Sequence, residues 1–309
     1  MADFRKLIRF KDASGQVYYG EAGDLKDITQ DGLLGADVPI FEGQNPWTPG
    51  FVLTESRRTI SEVLAPIEHV PIFYCVGLNY KDHVKEAGAI APGEYPLIFT
   101  KPTGAAAGPF EDIPVHPEAH DLDYEVCSYM QHSAFSTNSR SNRDILQPQV
   151  EFSIVIGKKC KNVSATDDPF QYVLGYTAGN DLSSRFWQQP HRGNGQPGIA
   201  KSFDKFAPIG PVITSTKVIT DSKALSVKTF VNGEQRQDGG TDDWYFDVPC
   251  IIRHLSRGVT LQPGTVIMTG TPSGVAAYRK PPLWLQDQDV LETQIENIGT
   301  MRNRIIFEK

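Results

Sequence analysis

Three acidic residues have the chemistry of a metal site. Glu125 ends D-L-D-Y-E (Asp121 to Glu125), Glu151 begins V-E-F-S-I-V-I-G-K-K after Val150, and Asp181 lies in G-N-D-L-S-S-R (Gly179 to Arg185). Val150 to Ile156 alternates and is rich in β-branched residues, so it reads as a strand, where a carboxylate is out of place unless positive charge sits beside it. A hard divalent cation supplies that charge. Mg²⁺ or Mn²⁺, with Ca²⁺ as a third choice, takes oxygen ligands, and Mg²⁺ leaves several coordination positions to water and substrate. A second constellation is His83 with Glu86, three residues apart and so on one helical face. There a carboxylate can orient and polarise an imidazole, and such a pair can activate water. Spacing alone fits a solvated helix face more often.

Other residues offer anion binding. Thr269-Gly-Thr-Pro-Ser-Gly-Val275 follows an apolar strand and presents small side chains, hydroxyls and a close backbone approach, which suits a substrate carboxylate; a simple tight turn is the alternative. Lys201, in A-K-S-F-D-K-F, is a cation of the kind that stabilises oxyanions, although most lysines are merely solvated. Lys101 and Tyr176 are lesser candidates. Gly193-Asn-Gly195-Gln-Pro-Gly198 matches G-x-G-x-x-G, yet it follows a polar segment and contains Pro197, which argues against a dinucleotide site. The remaining histidines form no credible helical H-x-x-x-H pair, so zinc hydrolase chemistry is not expected.

The 309 residues carry a net charge of −7 and 39% hydrophobic content, with a pI near 5.5. The acidic balance argues against a nucleic-acid partner. The longest apolar run, Val70 to Leu78, is too short to span a bilayer, and Met1-Ala-Asp-Phe-Arg-Lys lacks the apolar core of a signal peptide. A cytoplasmic location follows, with a mitochondrial one left open. Cys75, Cys127, Cys160 and Cys250 show no C-x-x-C spacing and suit reduced thiols.

Phe4 to Phe10 and Gln16 to Gly20 read as a hairpin, Arg57 to Leu64 as a short helix closed by Pro66. Strand signals dominate afterwards: Pro96 to Phe99, Phe152 to Gly157, Val212 to Thr214, Leu225 to Val231 and Val266 to Thr269. Helices are expected chiefly at Tyr80 to Ala87 and Val248 to Ser256. The pattern implies an α+β chain that is mostly β, with a small N-terminal domain at 1–70 and a main domain at 71–309.

Six segments in order resemble the fumarylacetoacetate hydrolase family: G-L-N-Y-K-D-H-V-K-E, D-Y-E, V-E-F-S-I-V-I-G-K, N-D-L-S-S-R, K-S-F-D-K-F-A-P-I-G-P and T-G-T-P-S-G-V. The resemblance runs from about Pro71 to the C-terminus. It implies a mixed β-roll or β-sandwich, a metal held by Glu125, Glu151 and Asp181, and catalysis by His83, Glu86 and Lys201. Substrate contacts would come from Tyr80, Arg185, Gln188 and Thr271, and a homodimer is expected. Here S-S-R-F-W-Q replaces the usual S-A-R-D-x-Q, so Phe186 stands where an acid is common. The activity implied is divalent-metal hydrolysis of a C–C bond in an acylpyruvate or related 1,3-dicarbonyl 2-oxo acid. Oxaloacetate decarboxylation or keto–enol tautomerisation on the same core is the alternative.

One departure is large. In the family the two glutamates are two residues apart; here the 24 residues Val126 to Gln149 separate them, and removing that block restores D-Y-E-V-E-F-S-I-V-I-G-K. Its Ser, Asn and Gln content is that of a solvated loop. A retained intron and a genuine surface insertion explain it equally well. A catalytically impaired binding protein, its metal site split by the block, is the reading from another class.

Overall fold

The computed structural model describes residues 2–119, 122–124, 150–279, 281 and 283–309. Glu125 and the block 126–149 lie outside them. The chain opens with the expected hairpin, β1 (Lys6–Lys11) and β2 (Val17–Glu21), paired from Leu7↔Glu21 to Lys11↔Val17. Its turn forms because the Asp12 carboxylate accepts from the amides of Ser14 and Gln16 while Gly15 takes φ +82°, a conformation open to glycine at no steric cost. Then come α1 (Gln30–Leu33), β3 (Asp37–Glu42), β4 (Val52–Thr59) and β5 (Glu62–Val63). The helix expected at Arg57 to Leu64 is therefore two strands. Arg57 faces Pro39 and Thr59 faces Asp37, with Arg57 Nε 2.6 Å from Asp37 Oδ2, and Val63 faces Phe10 on β1. Tertiary pairing overrides the helix-like composition of S-R-R-T-I-S-E-V-L.

The main body continues with β6 (Phe73–Gly77), α2 (Lys81–Glu86), β7 (Leu97–Lys101), β8 (Ala106–Ala107), β9 (Ile113–Val115), β10 (Leu122–Tyr124), β11 (Val150–Ile156), β12 (Val173–Asn180) and β13 (Leu182–Ser184). Three short helices follow: α3 (Arg185–Gln188), α4 (Pro190–Gly193) and α5 (Gly198–Lys201). The rest is β14 (Ala207–Thr214), β15 (Ser226–Val231), β16 (Glu234–Gly240), α6 (Val248–Leu255), β17 (Val266–Met268), β18 (Val290–Ile295) and β19 (Gly299–Phe307). Among the described residues the largest sheet runs β4-β3-β2-β1-β14-β12-β11-β17-β6-β7, and a second runs β16-β15-β18-β19-β9. Both mix parallel and antiparallel pairs. The fold is mostly β, as the sequence implies.

Every residue of β11, β12 and β14 is buried, so polar residues on them are placed in the protein's interior. α6 closes over part of that core with Val248, Ile251, Ile252 and Leu255, the spacing of one helical face, and Asp247 caps it by accepting from the Cys250 amide. Residues 1–70 are continuous with 71–309, because β1 pairs with β14 at Lys6↔Thr214 and Leu7↔Ile213 and Ile8, Phe10, Val38 and Ile40 share a core with Phe152, Ile154 and Val212.

The ladder around the block is informative. Tyr124 faces Leu182 and Val150 faces Asn180, so after the block the pairing resumes in the register that it would have if those 24 residues were absent. One position, opposite Asp181, is left between the two flanks. A variant lacking Val126 to Gln149 is therefore expected to keep every pairing and to melt about 6–12 °C higher, since closing a loop of this size costs on the order of 3 kcal/mol. It should also bind Mn²⁺ more tightly and turn over faster; loss of an activity that the full chain possesses would assign the block a function.

Candidate active site

Asp181 sits between β12 and β13 with no solvent exposure. Its Oδ1 accepts from Lys101 Nζ and its Oδ2 from Lys201 Nζ at 2.5 Å. Lys101, at the end of β7, also donates to Leu182 O at 2.9 Å and Phe206 O at 2.5 Å, so all three of its protons are spent. Lys201 ends α5 and lies 4.4 Å from the centre of the Phe99 ring, a cation–π contact. Burial pushes the Lys101 ammonium below its ordinary pKa while Asp181 opposes that shift. Two buried ammonium groups thus share one carboxylate, and Lys201, expected to meet substrate, has Asp181 as its partner in this arrangement.

Glu151, on β11, is 2% exposed, and its Oε2 accepts from the Gly270 amide at 2.9 Å. That approach requires glycine: Gly270 has φ +95°, and a Cβ there would lie 2.9 Å from Val76 O. Burial first, and then the charge of Asp181, raise the Glu151 carboxyl to about 8. Two buried carboxylates of which one resists ionisation fit a divalent cation, because the ion would relieve both the desolvation and the repulsion. The oxygen donors suit Mg²⁺ or Mn²⁺. Burial first, and then the charges of Asp181 and Glu151, push the Cys75 thiol well above its ordinary pKa. Glu125, the third expected ligand, is outside the described residues, and among those no cluster of three or more His, Cys, Asp or Glu is placed to hold a metal.

The raised carboxyl gives a pH prediction. A group whose folded pKa lies above its unfolded value stabilises fully below the unfolded value, and that contribution is lost as pH rises through the folded one. For Glu151 the window runs from 4.5 to about 8. In chelator the melting temperature should fall across it, and Mg²⁺ or Mn²⁺ should flatten the fall. A metal-free melting temperature that climbs steadily through the same window would contradict the placement of Glu151.

The second half of the site is the turn from β6 into α2. Leu78 takes φ +54°, strained for a branched residue, and Asn79 locks the turn by donating to Thr269 O and Phe246 O and accepting from the Phe246 amide. Asp243 accepts from the Asp82 amide at the helix start. His83 is fully buried, with Nδ1 3.3 Å from Glu86 Oε2. Glu86 in turn accepts from the amides of Gly274 at 3.0 Å and Val275 at 3.4 Å. With Nδ1–H donated to Glu86, the His83 lone pair resides on Nε2, which is buried and has no partner among the described residues.

The segment 269–275 joins the two halves. Gly270 holds Glu151, Gly274 holds Glu86, and the four Cα–Cα steps from one to the other span at most about 14 Å. Between them Thr271 Oγ1 accepts from Gln237 Nε2 at 2.9 Å. Tyr80 is buried edge-on to Trp244, its hydroxyl without a partner among the described residues. Arg185 and Gln188 lie on α3, which packs against α5 and β10, and both polar atoms of the Gln188 side chain are buried without a partner among the described residues. Phe186, where an acid is common, stacks under the Arg192 guanidinium at 3.2 Å. Sequence reasoning ranked Lys101 too low and missed Gln237 and Asn79. Their partners lie far along the chain, and only the position of Lys101 in F-T-K-P hinted at a role.

Residues 72–127 and 134–306 match the family described as Fumarylacetoacetate (FAA) hydrolase C-terminal. The chain is 39% identical over 253 residues to the fumarylacetoacetate hydrolase domain-containing protein 2 homolog of Dictyostelium discoideum, covering 79% of this chain and 74% of that protein. It is 35% identical over 255 residues to "Oxaloacetate tautomerase FAHD2A, mitochondrial" of Homo sapiens, covering 82% of this chain and 72% of that protein. The crystal structure of 2-hydroxyhepta-2,4-diene-1,7-dioate isomerase from Mycobacterium marinum superposes with a TM-score of 0.75 at 29% identity, over 98% of this chain and 99% of that one. Fumarylacetoacetate hydrolase (EaFAH) from Exiguobacterium antarcticum gives 0.72 at 31%, over 98% and 100%. With the ordered motifs, the mixed sheets and these matches in agreement, the chain belongs to the fumarylacetoacetate hydrolase family.

Proposed function

We propose that the protein is an oxaloacetate keto–enol tautomerase. The observation that carries this reading is the buried Nε2 of His83, without a partner among the described residues and aimed by the Nδ1 contact to Glu86. Tautomerisation needs one base and no water. Nε2 takes a proton from C3, the C–H electron pair becomes the C2–C3 double bond, the carbonyl pair moves to the C2 oxygen, and protonation there gives the enol; ketonisation is the reverse. Thr271 holds the C2 oxygen, and the Lys101–Asp181–Lys201 cluster keeps net positive charge beside it as negative charge develops. A bound Mg²⁺ or Mn²⁺, held by Glu151 and Asp181 with Glu125, would supply Lewis acidity toward the 2-oxo and carboxylate oxygens.

Acylpyruvate hydrolysis, the first expectation from sequence, asks the same imidazole to activate water. The relative named oxaloacetate tautomerase favours the reaction without water. That name also includes "mitochondrial", which supports the second of the two locations admitted by the sequence. The deciding assay follows the ultraviolet absorbance of enol-oxaloacetate with Mn²⁺ and with chelator, beside pyruvate release from a panel of acylpyruvates. Metal-dependent loss of the enol without pyruvate release is expected; pyruvate release without tautomerisation would establish the hydrolase instead.

A further inference from the structure

Gln237, on β16, is 1% exposed and faces Thr229 of β15. Its side-chain amide makes four hydrogen bonds. Oε1 accepts from the Val150 amide at 3.2 Å and from Thr229 Oγ1 at 2.9 Å. Nε2 donates to Pro272 O at 3.0 Å and to Thr271 Oγ1 at 2.9 Å. The orientation of this amide is fixed by backbone chemistry: the Val150 N–H can only donate and the Pro272 carbonyl can only accept, so oxygen and nitrogen cannot be exchanged. Both protons of Nε2 are then assigned, one to Pro272 O and one to Thr271.

Thr271 Oγ1, receiving a proton from Gln237, must direct its own elsewhere. No acceptor among the described residues takes it, and Thr271 has no solvent exposure. Its neighbour behaves differently: Thr269 Oγ1 donates to Phe152 O at 2.7 Å, so its proton is used within the fold. Of the two hydroxyls in T-G-T, only the second has a proton that no acceptor among the described residues takes, and it lies in sequence between the amides that hold Glu151 and Glu86.

We propose that Gln237 is a positioning residue that fixes the hydrogen-bond polarity of Thr271, making it an obligate donor to the substrate oxygen on which negative charge develops. The inference rests on the reading of 269–275 as the segment that holds substrate. It gives a buried amide, remote from the substrate, control over the sign of one substrate contact. It also ties that contact to Val150, the residue beside Glu151, so that the donor and the carboxylate are set by one side chain.

The test compares Thr271→Val, Thr271→Ser, Gln237→Glu and the double variant Gln237→Glu with Thr271→Val. The readouts are kcat and KM for enol-oxaloacetate with Mn²⁺, calorimetric binding of oxalate as an enolate-shaped dianion, and thermal melts. Thr271→Val removes the donor and should lower kcat by about 10²-fold, as loss of one oxyanion donor does, with little change in KM; Thr271→Ser should restore it. The Gln237→Glu side chain carries at most one proton, which the Pro272 carbonyl takes, so Thr271 would donate to it and withdraw from substrate. Gln237→Glu should match Thr271→Val, weaken oxalate to the same degree, and add nothing in the double variant. A folded Gln237→Glu variant with wild-type kcat and oxalate affinity, alongside an impaired Thr271→Val, overturns the role of Gln237 but keeps Thr271. Wild-type behaviour of Thr271→Val in both assays removes the substrate contact and the reading of the segment. If Gln237→Glu fails to fold, Gln237→Met decides: a roughly tenfold fall in kcat, as Thr271 becomes free to rotate, supports the proposal, and an unchanged kcat overturns it.

Discussion

Asp181→Ala is expected to abolish the rise in melting temperature that Mg²⁺ or Mn²⁺ produces in the unsubstituted protein, and to lower the metal-free melting temperature by about 10 °C. The first effect is mass action: a ligand bound only by the folded state stabilises it by about 2.7 kcal/mol at a hundredfold excess over Kd. The second follows from what remains. Without the carboxylate, Lys101 and Lys201 keep their buried ammonium groups and lose their shared counter-ion, and removing one partner of a buried ion pair costs about 3–5 kcal/mol. In a chain of this size each kcal/mol moves the midpoint by about 2–4 °C. Lys101→Met in the Asp181→Ala background should recover part of the loss. A melting curve of the unsubstituted protein that ignores metal would overturn the assignment of the site, whatever the variant does.

His83→Ala should reduce kcat by about 10²–10⁴-fold while the metal-induced thermal shift persists. The separation is expected because, among the described residues, His83 has its polar contact with Glu86, on the same helix, and Glu86 is held by the amides of Gly274 and Val275. Thermal melts and steady-state rates on one preparation check both parts. If metal affinity falls with kcat, His83 is a ligand or a structural residue and the base lies elsewhere. Glu86→Gln should have a smaller effect on kcat, since an amide oxygen can still accept from Nδ1 but carries no charge to stabilise the imidazolium.

What the sequence disclosed depended on how local each signal is. The i,i+3 spacing of His83 and Glu86 puts them on one helical face but fits a solvated face more often; the family resemblance singled them out, and the structure seats them as a pair. Glu151 stood out as a carboxylate in apolar strand text and Asp181 as the acid of G-N-D-L-S-S-R, and both are buried, the charge of Asp181 acting on Glu151. Lys101 was undervalued because its partners, Asp181 and Phe206, are 80 and 105 residues away. Gln237 gave no signal at all: a glutamine in a polar hairpin is ordinary until the strand pairing brings Thr229, Val150 and Pro272 around it. The helix assigned to Arg57–Leu64 failed because β4 is an outer strand exposed along most of its length, so it lacks the alternation by which strands are recognised.

The pairing of β1 with β14 fixes an order of events during synthesis. Lys6 cannot meet Thr214 until roughly 200 further residues have been made, about 10–40 s at ordinary elongation rates. During that interval β5 can cover the edge of β1 at Phe10 and Lys11, but the edge at Lys6 and Leu7 stays open, a template for pairing with the wrong strand. The segment K-L-I-R-F-K answers that hazard in its own composition: Lys6, Arg9 and Lys11 interrupt the apolar residues with charge, which keeps a nascent edge from docking on another chain before its partner emerges.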